Sequence, residues 1–314
     1  MKQVILFPGQ GSQFVGMGKD LYQEFSCARH VFEELDDTLS QKLSDIIFEG
    51  PSEALMQTEN TQPALMAVSI ATLSVLKAEG LDTKLFSYAA GHSLAEYSAL
   101  CAAGVLTFSD AIILLKERGL AMQKAVPLGQ GGMVALIGAS VEDAEKISKK
   151  ASVYGVCEVA NDNCPGQVVL SGELAALSHI AEISKDFSVR KAISLKVSAP
   201  FHSSLMAPAA QRMDSLLKEV SFKDSSFPIL PNVTVTPETK GDVFRNLLVR
   251  QITGRVRWTE TLLKLQSLGV DLFVEVGAGK VLSGLVKRTC SGVEDISVQT
   301  PQEVESFLNT LVRN

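Results

Sequence analysis

Between Gly129 and Pro200 the sequence changes rhythm, and that change constrains the fold more than any other feature. Residues 133–137 read as a strand and 141–151 as a helix. Two strands follow at 156–160 and 167–170, then a helix at 174–185 and a last strand at 190–197. The order β-α-β-β-α-β within about 70 residues is the ferredoxin-like split βαβ pattern. Gly129-Gln-Gly-Gly132 before it and Ala199-Pro200 after it make natural boundaries. Such a unit interrupts a longer chain where entry and exit lie close together at a surface. Of the 314 residues, 1–127 and 199–314 are therefore expected to form a large domain, and 128–198 a small inserted subdomain.

Outside the insertion, strands alternate with helices. Residues 4–7 form a short apolar strand running into Pro8-Gly-Gln-Gly-Ser12, and 85–90 a second, ended by Gly91. Residues 19–36 and 62–79 read as helices; in the second, Leu65, Val68, Leu73 and Leu76 recur near helical spacing. A helical pattern runs through Cys101 to Gly104, and another covers 111–124, with Ser109 or Asp110 as its N-cap. After the insertion, 203–220 and 259–268 read as helices, Ile229-Leu230 begins a short strand, and 272–276 is an apolar strand. This alternation implies an α/β fold with a mainly parallel sheet.

Composition removes several classes of function. The net charge of −6 leaves no basic excess to neutralise phosphates, so nucleic acid is not an expected partner. The five cysteines are odd in number and contain no CxxC pair. That opposes a disulfide framework and a Cys/His zinc site, so no metal is expected and reduced thiols in the cytoplasm are. The N-terminal apolar run is four residues long, against about 7–15 for a signal peptide. The charge-poor stretch 85–109 carries Glu96 and other polar groups at its centre, which does not suit a membrane span. A cytoplasmic monomer is the expectation.

The strongest local signal is Gly91-His-Ser-Leu-Ala95, after a strand and before a helix. The nucleophile elbow GxSxG has that setting: the turn lifts the serine above the sheet edge, and the following helix N-terminus favours negative charge. Ser93 is then the nucleophile and the Leu94 N–H the natural oxyanion donor. Ala95 stands where the motif has glycine. A serine nucleophile needs a base, and the chain has only four histidines. His92 is adjacent, and its side chain diverges on a sharp turn. His30 suits a solvated helix face, and His179 falls mid-helix in the insertion. His202 remains, in the loop that re-enters the large domain, and such loops line clefts. An acidic third member is hard to place. Asp110 looks like a helix cap, Asp143 and Asp186 lie by surface helices of the insertion, and Asp162 lies in a loop within it. A backbone or amide oxygen is expected to take that part.

Seven motifs occur in one order: Phe7-Pro-Gly-Gln-Gly-Ser-Gln13 with Val15-Gly-Met-Gly18, Gly91-His-Ser-Leu-Ala-Glu-Tyr97, Lys116-Glu-Arg-Gly119, Pro165-Gly-Gln-Val-Val169, Pro200-Phe-His-Ser203 and Glu275-Val-Gly-Ala-Gly-Lys-Val-Leu282. Together they resemble the malonyl-CoA:acyl carrier protein transacylase family of fatty acid synthesis, from residue 4 to about residue 290. The resemblance implies an α/β-hydrolase-like core with a ferredoxin-like subdomain and the active site between them. Ser93 and His202 would be nucleophile and base, and the backbone N–H groups of Leu94 and Gln10 the oxyanion hole. Gln251 matches the position whose carbonyl oxygen orients the histidine. Arg118 matches the arginine that grips the malonate carboxylate, a task suited to a guanidinium fork. A solvated arginine paired with Glu117 or Glu96 is the plainer alternative. Phe201 matches members that use malonyl, Asn161 matches an asparagine facing the cleft, and His92 joins the substrate-facing residues.

The implied partners are malonyl-CoA and an acyl carrier protein, with no cofactor. Carrier proteins are acidic, which makes Arg190, Lys191, Lys196, Arg255, Arg257, Lys287 and Arg288 candidates for a docking patch. The alternatives are a relative with another acyl preference and a serine esterase, which would need the acidic triad member. Gly277-Ala-Gly279-Lys280 lacks the spacing of a phosphate loop, with Val281 where Ser or Thr would hold magnesium, and is read as a strand-to-helix turn.

Overall fold

The computed structural model describes residues 2–197 and 199–312. The strands among these residues are β1 (Lys2–Phe7), β2 (Phe86–Gly91), β3 (Gly131–Ile137), β4 (Cys157–Cys164), β5 (Gln167–Glu173), β6 (Lys191–Ser194), β7 (Val256–Arg257), β8 (Val270–Val276) and β9 (Glu294–Val298). They form two sheets. The first has the order β2-β1-β8-β9 and is parallel throughout. Helices cover it, which is why β1 is buried from Gln3 to Phe7 and reads as a continuous apolar run. Phe7 of β1 pairs with Gly91 of β2. The turns Pro8–Ser12 and His92–Ala95 therefore leave the same sheet edge side by side, at the carboxyl ends of the strands, where open α/β sheets bind ligands.

The second sheet has the order β6-β3-β5-β4-β7. Its first four strands come from the predicted insertion and pair antiparallel. Alternation along β3 gives it two apolar faces. Val134 and Leu136 point to a core built with Ala144, Ile147 and Leu170, while Met133 and Ala135 join the main core of the protein. The fifth strand, β7, comes from outside the insertion and adds parallel to β4 at Asn161 and Asp162.

Several expectations need correction. Residues 19–36 are two helices, Lys19–Glu24 and Ser26–Leu39, separated by extended backbone at Phe25. Residues 174–185 are broken into Leu174–Leu177, Ile180–Ile183 and a 3-10 turn, so His179 caps a short turn instead of sitting mid-helix. The helix expected from 111 begins at Phe108, and its N-cap is Thr107, whose hydroxyl accepts from the Asp110 N–H, so neither Ser109 nor Asp110 is the cap. Ile229 makes only isolated bridges, to Ala89 and Glu238. The last strand of the insertion is shorter than 190–197, and Asp162 lies in β4, not in a loop. Helices Leu43–Glu49, Gly241–Thr253 and Pro301–Val312, and strand β9, were not anticipated, while Val281–Thr289 is the helix expected after the Gly277–Lys280 turn. The proposed boundary at Ser198 lies outside the described residues. Among the described residues no helix is long and apolar enough to cross a membrane.

Gly91 is set by space. A Cβ there would lie 1.8 Å from the carbonyl oxygen of Ala95. Gly91→Ala must push the turn off the sheet edge, at a cost of about 3 kcal/mol or more. A melting temperature within a degree of the native protein's would show that the turn is not fixed by this contact.

Candidate active site

β2 delivers Ser93 with φ +54°, the left-handed region that L residues rarely adopt. The strain is held by a splint. Asn232, fully buried, accepts from the Ser93 N–H with Oδ1 (2.7 Å) and donates to the Gly91 carbonyl with Nδ2 (2.8 Å). Ala95 at the motif's last position has φ −75°. That is ordinary helical backbone, so glycine is not needed there.

Ser93 Oγ lies 2.7 Å from His202 Nε2. On the other side of the ring, Nδ1 faces two carbonyl oxygens, Gln251 at 2.9 Å and Gly254 at 3.1 Å. Carbonyls only accept, which assigns the proton to Nδ1 and leaves Nε2 to take the serine proton. Burial, with Arg118 adding to it, pushes the His202 pKa down to about 3. The ring is therefore a neutral base at physiological pH. Among the described residues no carboxylate orients it; the two carbonyls do.

Arg118 is 1% exposed on helix Phe108–Lys124. It donates to Gln62 Oε1 (2.8 Å), Gln251 Oε1 (3.0 Å) and Ser93 Oγ (3.3 Å). The solvated alternative fails: Glu117 bonds Arg212, and Glu96 accepts from Asn232 N and Gln251 Nε2. Gly119 makes the burial possible. A Cβ there would lie 2.6 Å from the Glu59 Cα, so the helix seats directly on Thr58–Ala78, which carries Gln62.

A cavity of about 140 Å³ opens over these groups. Gln10, His92, Ser93, Arg118, Asn161, Phe201 and His202 all line it, so the structure brings seven of the sequence candidates together. Leu94 follows Ser93 in a 3-10 turn, and Gln251 stands behind the arginine and histidine. His92 Nε2 bonds Asn163 Oδ1 at 2.9 Å and its ring meets Trp258 edge-on. His30 and His179 are exposed. Of the candidate docking cations, Arg255, Arg257 and Lys287 have acidic partners in Glu145, Glu260 and Asp295, and Arg288 donates to Gln167. At Gly277-Ala-Gly279-Lys280 the turn enters helix Val281–Thr289, and the Glu275 carboxylate accepts from Leu282 N and Ser283 N, where a phosphate would sit.

Sequence reasoning missed Gln62, Glu96, Asn163 and Asn232. Gln62 carried one signal: a polar residue on the buried face of an apolar helix.

The family described as the acyl transferase domain matches residues 4–302. The chain belongs to the acyl transferase family. Within that family, the malonyl CoA-acyl carrier protein transacylase of Bacillus subtilis is 43% identical over 311 residues, covering 99% of this chain and 97% of the relative. The crystal structure of the acyl-carrier-protein S-malonyltransferase from Bartonella henselae superposes with a TM-score of 0.97 at 48% identity, covering 99% of this chain and all of that one. A malonyl-transacylase solved in complex with its type II PKS acyl-carrier protein gives 0.96 at 38% identity, covering 99% of this chain and 100% of that one. The resemblance read from seven sequence motifs is borne out over nearly the whole chain.

Proposed function

We infer that this acyl transferase moves malonyl from malonyl-CoA to the phosphopantetheine thiol of an acyl carrier protein, in supply of fatty acid synthesis. The observation that carries the reading is a buried arginine fork, Arg118, 3.3 Å from a serine that is 2.7 Å from a neutral histidine. A guanidinium beside the nucleophile suits an acyl group that ends in a carboxylate.

Ser93 attacks the thioester carbonyl as its proton passes to His202 Nε2. The Leu94 and Gln10 N–H groups take the oxyanion, at about 3–4 kcal/mol per donor in comparable sites. Coenzyme A leaves as the thiol, taking the proton from His202, and a malonyl ester remains on Ser93. The carrier thiol then repeats the sequence in reverse, with His202 again as base. The Gln251 and Gly254 carbonyls hold the ring and spread the charge of the transient imidazolium. Asn161, Phe201 and His92 shape the cleft around the acyl and pantetheine chain.

The four-strand order β6-β3-β5-β4 supports a ferredoxin-like subdomain at 128–198, and the parallel sheet with its serine turn supports an α/β-hydrolase-like remainder, 1–127 with 199–314. The protein works as a monomer in the cytoplasm, with reduced cysteines. Docking of the acidic carrier falls to basic residues near the cleft, among which Lys191 and Lys196 are the first to change. A serine esterase is the weaker reading, because among the described residues carbonyls and no carboxylate face His202 Nδ1.

Initial rates with malonyl-CoA and a phosphopantetheinylated carrier should give parallel reciprocal plots, and the rate at saturation should stay level from pH 8 to pH 5. Intersecting plots would refute the ester intermediate, and a rate that halves near pH 6.5 would refute the neutral, buried His202.

A further inference from the structure

Arg118 carries a full charge in the protein interior, yet its acceptors among the described residues, Gln62, Gln251 and Ser93, are all neutral. Its Nε is buried with no hydrogen-bond partner among the described residues. An isolated buried charge is expensive, so such groups are found with a counterion. One fully buried carboxylate stands a single side chain away. Glu96, at the start of helix Glu96–Ala102, accepts from Gln251 Nε2 at 2.8 Å, while the Oε1 of the same amide accepts from Arg118 at 3.0 Å. The amide is thus oriented from both ends, by a group that only accepts and a group that only donates. Glu96 Oε2 also accepts from Asn232 N (2.9 Å), and Oε1 is buried without a partner among the described residues.

We propose that Glu96 is the internal counterion of Arg118, linked to it through the Gln251 amide, and that it sets malonyl preference by competing with the substrate carboxylate for the arginine's charge. This rests on the malonyl reading above. In the free protein the Glu96 carboxylate offsets the guanidinium. A malonyl group brings a second carboxylate to the same charge, and two anions around one cation repel. The conflict is relieved when Glu96 takes a proton from solvent. Burial already raises its pKa to about 7, with Asn232, Gln251 and Arg118 opposing the rise. Among the described residues, Arg118 is the charged group that faces it; Tyr97, beside it on the same helix, is buried with its pKa pushed up and stays neutral, and the facing groups of Asn232 and Gln251 are uncharged.

The consequence is specific to the carboxylate of the acyl group. Malonyl preference over acetyl should fall as pH rises through 7, because ionised Glu96 resists the second anion. Acetyl lacks the carboxylate, so the ratio of the two cancels any titration of coenzyme A or of the serine–histidine pair. By linkage, malonyl binding raises the affinity of Glu96 for its proton by the same factor.

The experiment measures malonyl-CoA against acetyl-CoA, the latter as substrate or as competitive inhibitor, from pH 6 to pH 8.5. In the native protein the preference should fall by about tenfold, within the usual range for coupled sites. In Glu96→Gln, whose amide oxygen can still accept from Gln251 and Asn232, the slope should vanish. A native ratio that is level with pH overturns the proposal, as does a slope that survives in Glu96→Gln. Should that variant not fold, malonyl loading of the native protein at pH 7, followed by calorimetry in two buffers of different ionisation enthalpy, reads proton uptake directly; none would overturn it. A native protein that forms no malonyl ester at any pH overturns the malonyl reading and this proposal with it, whereas an ester formed without a slope overturns this proposal alone.

Discussion

Arg118→Ala should lower kcat/KM for malonyl-CoA by about 10²–10³-fold, the scale expected when a buried charge-assisted pair to the substrate is lost. Acetyl-CoA should lose far less and become comparable to malonyl-CoA as a donor. The asymmetry follows from burial. In the native protein an acetyl group leaves the guanidinium, 1% exposed and held by Gln62 and Gln251, without the anion the site is built to receive. Removing the arginine removes that discrimination. Some loss for both substrates is expected, because Arg118 also donates to Ser93 Oγ. A variant that keeps the native preference for malonyl over acetyl would show that the arginine does not read the acyl carboxylate. Arg118→Lys is a useful companion: it keeps a charge and loses the fork, so it should recover only part of the preference.

Ser93→Ala should reduce transfer by at least about 10⁴-fold, as for nucleophile removal in serine enzymes generally, and should form no ester. The fold should survive. Alanine keeps the main-chain N–H and carbonyl that bond Asn232 and Gln251, and it removes only a hydroxyl. The melting temperature should stay within a few degrees of native, and relief of the buried His202 and Arg118 contacts sets its sign. Carrier-protein binding should persist in this variant. Residual transfer above a hundredth of the native rate would assign the nucleophile elsewhere.

What the sequence made legible is uneven for identifiable reasons. β1 and β2 stand out because parallel strands covered on both faces are continuous apolar runs, and glycine marks where they stop. The Ser93–His202 pair was reachable because histidine is scarce; four candidates could be weighed one by one. The insertion was legible through its change of rhythm, yet β7, two residues donated to its sheet from the other domain, carries no pattern of its own. Helix Gly241–Thr253 went unread although Phe244, Leu247, Leu248, Gln251 and Ile252 fall on one buried stripe. Gln251 therefore entered by resemblance alone, when a glutamine inside an apolar stripe was the physical clue. The break at Phe25 has no glycine or proline to announce it. It lets Tyr22, Phe32 and Phe48 pack as one aromatic cluster, a case of tertiary packing overriding local preference. Asn232, and the bonding of Glu96 to Asn232 and Gln251, were illegible because the partners lie more than a hundred residues away, and only the folded chain brings them behind the nucleophile.

The central claim is that Ser93 carries the malonyl group between donor and carrier. Its most direct test is the intact mass of the protein after brief exposure to malonyl-CoA without carrier. The account predicts a gain of one malonyl group on the native protein, lost again when the phosphopantetheinylated carrier is added, and no gain on Ser93→Ala. A native protein whose mass does not change, or a Ser93→Ala protein that gains the same adduct, would contradict it.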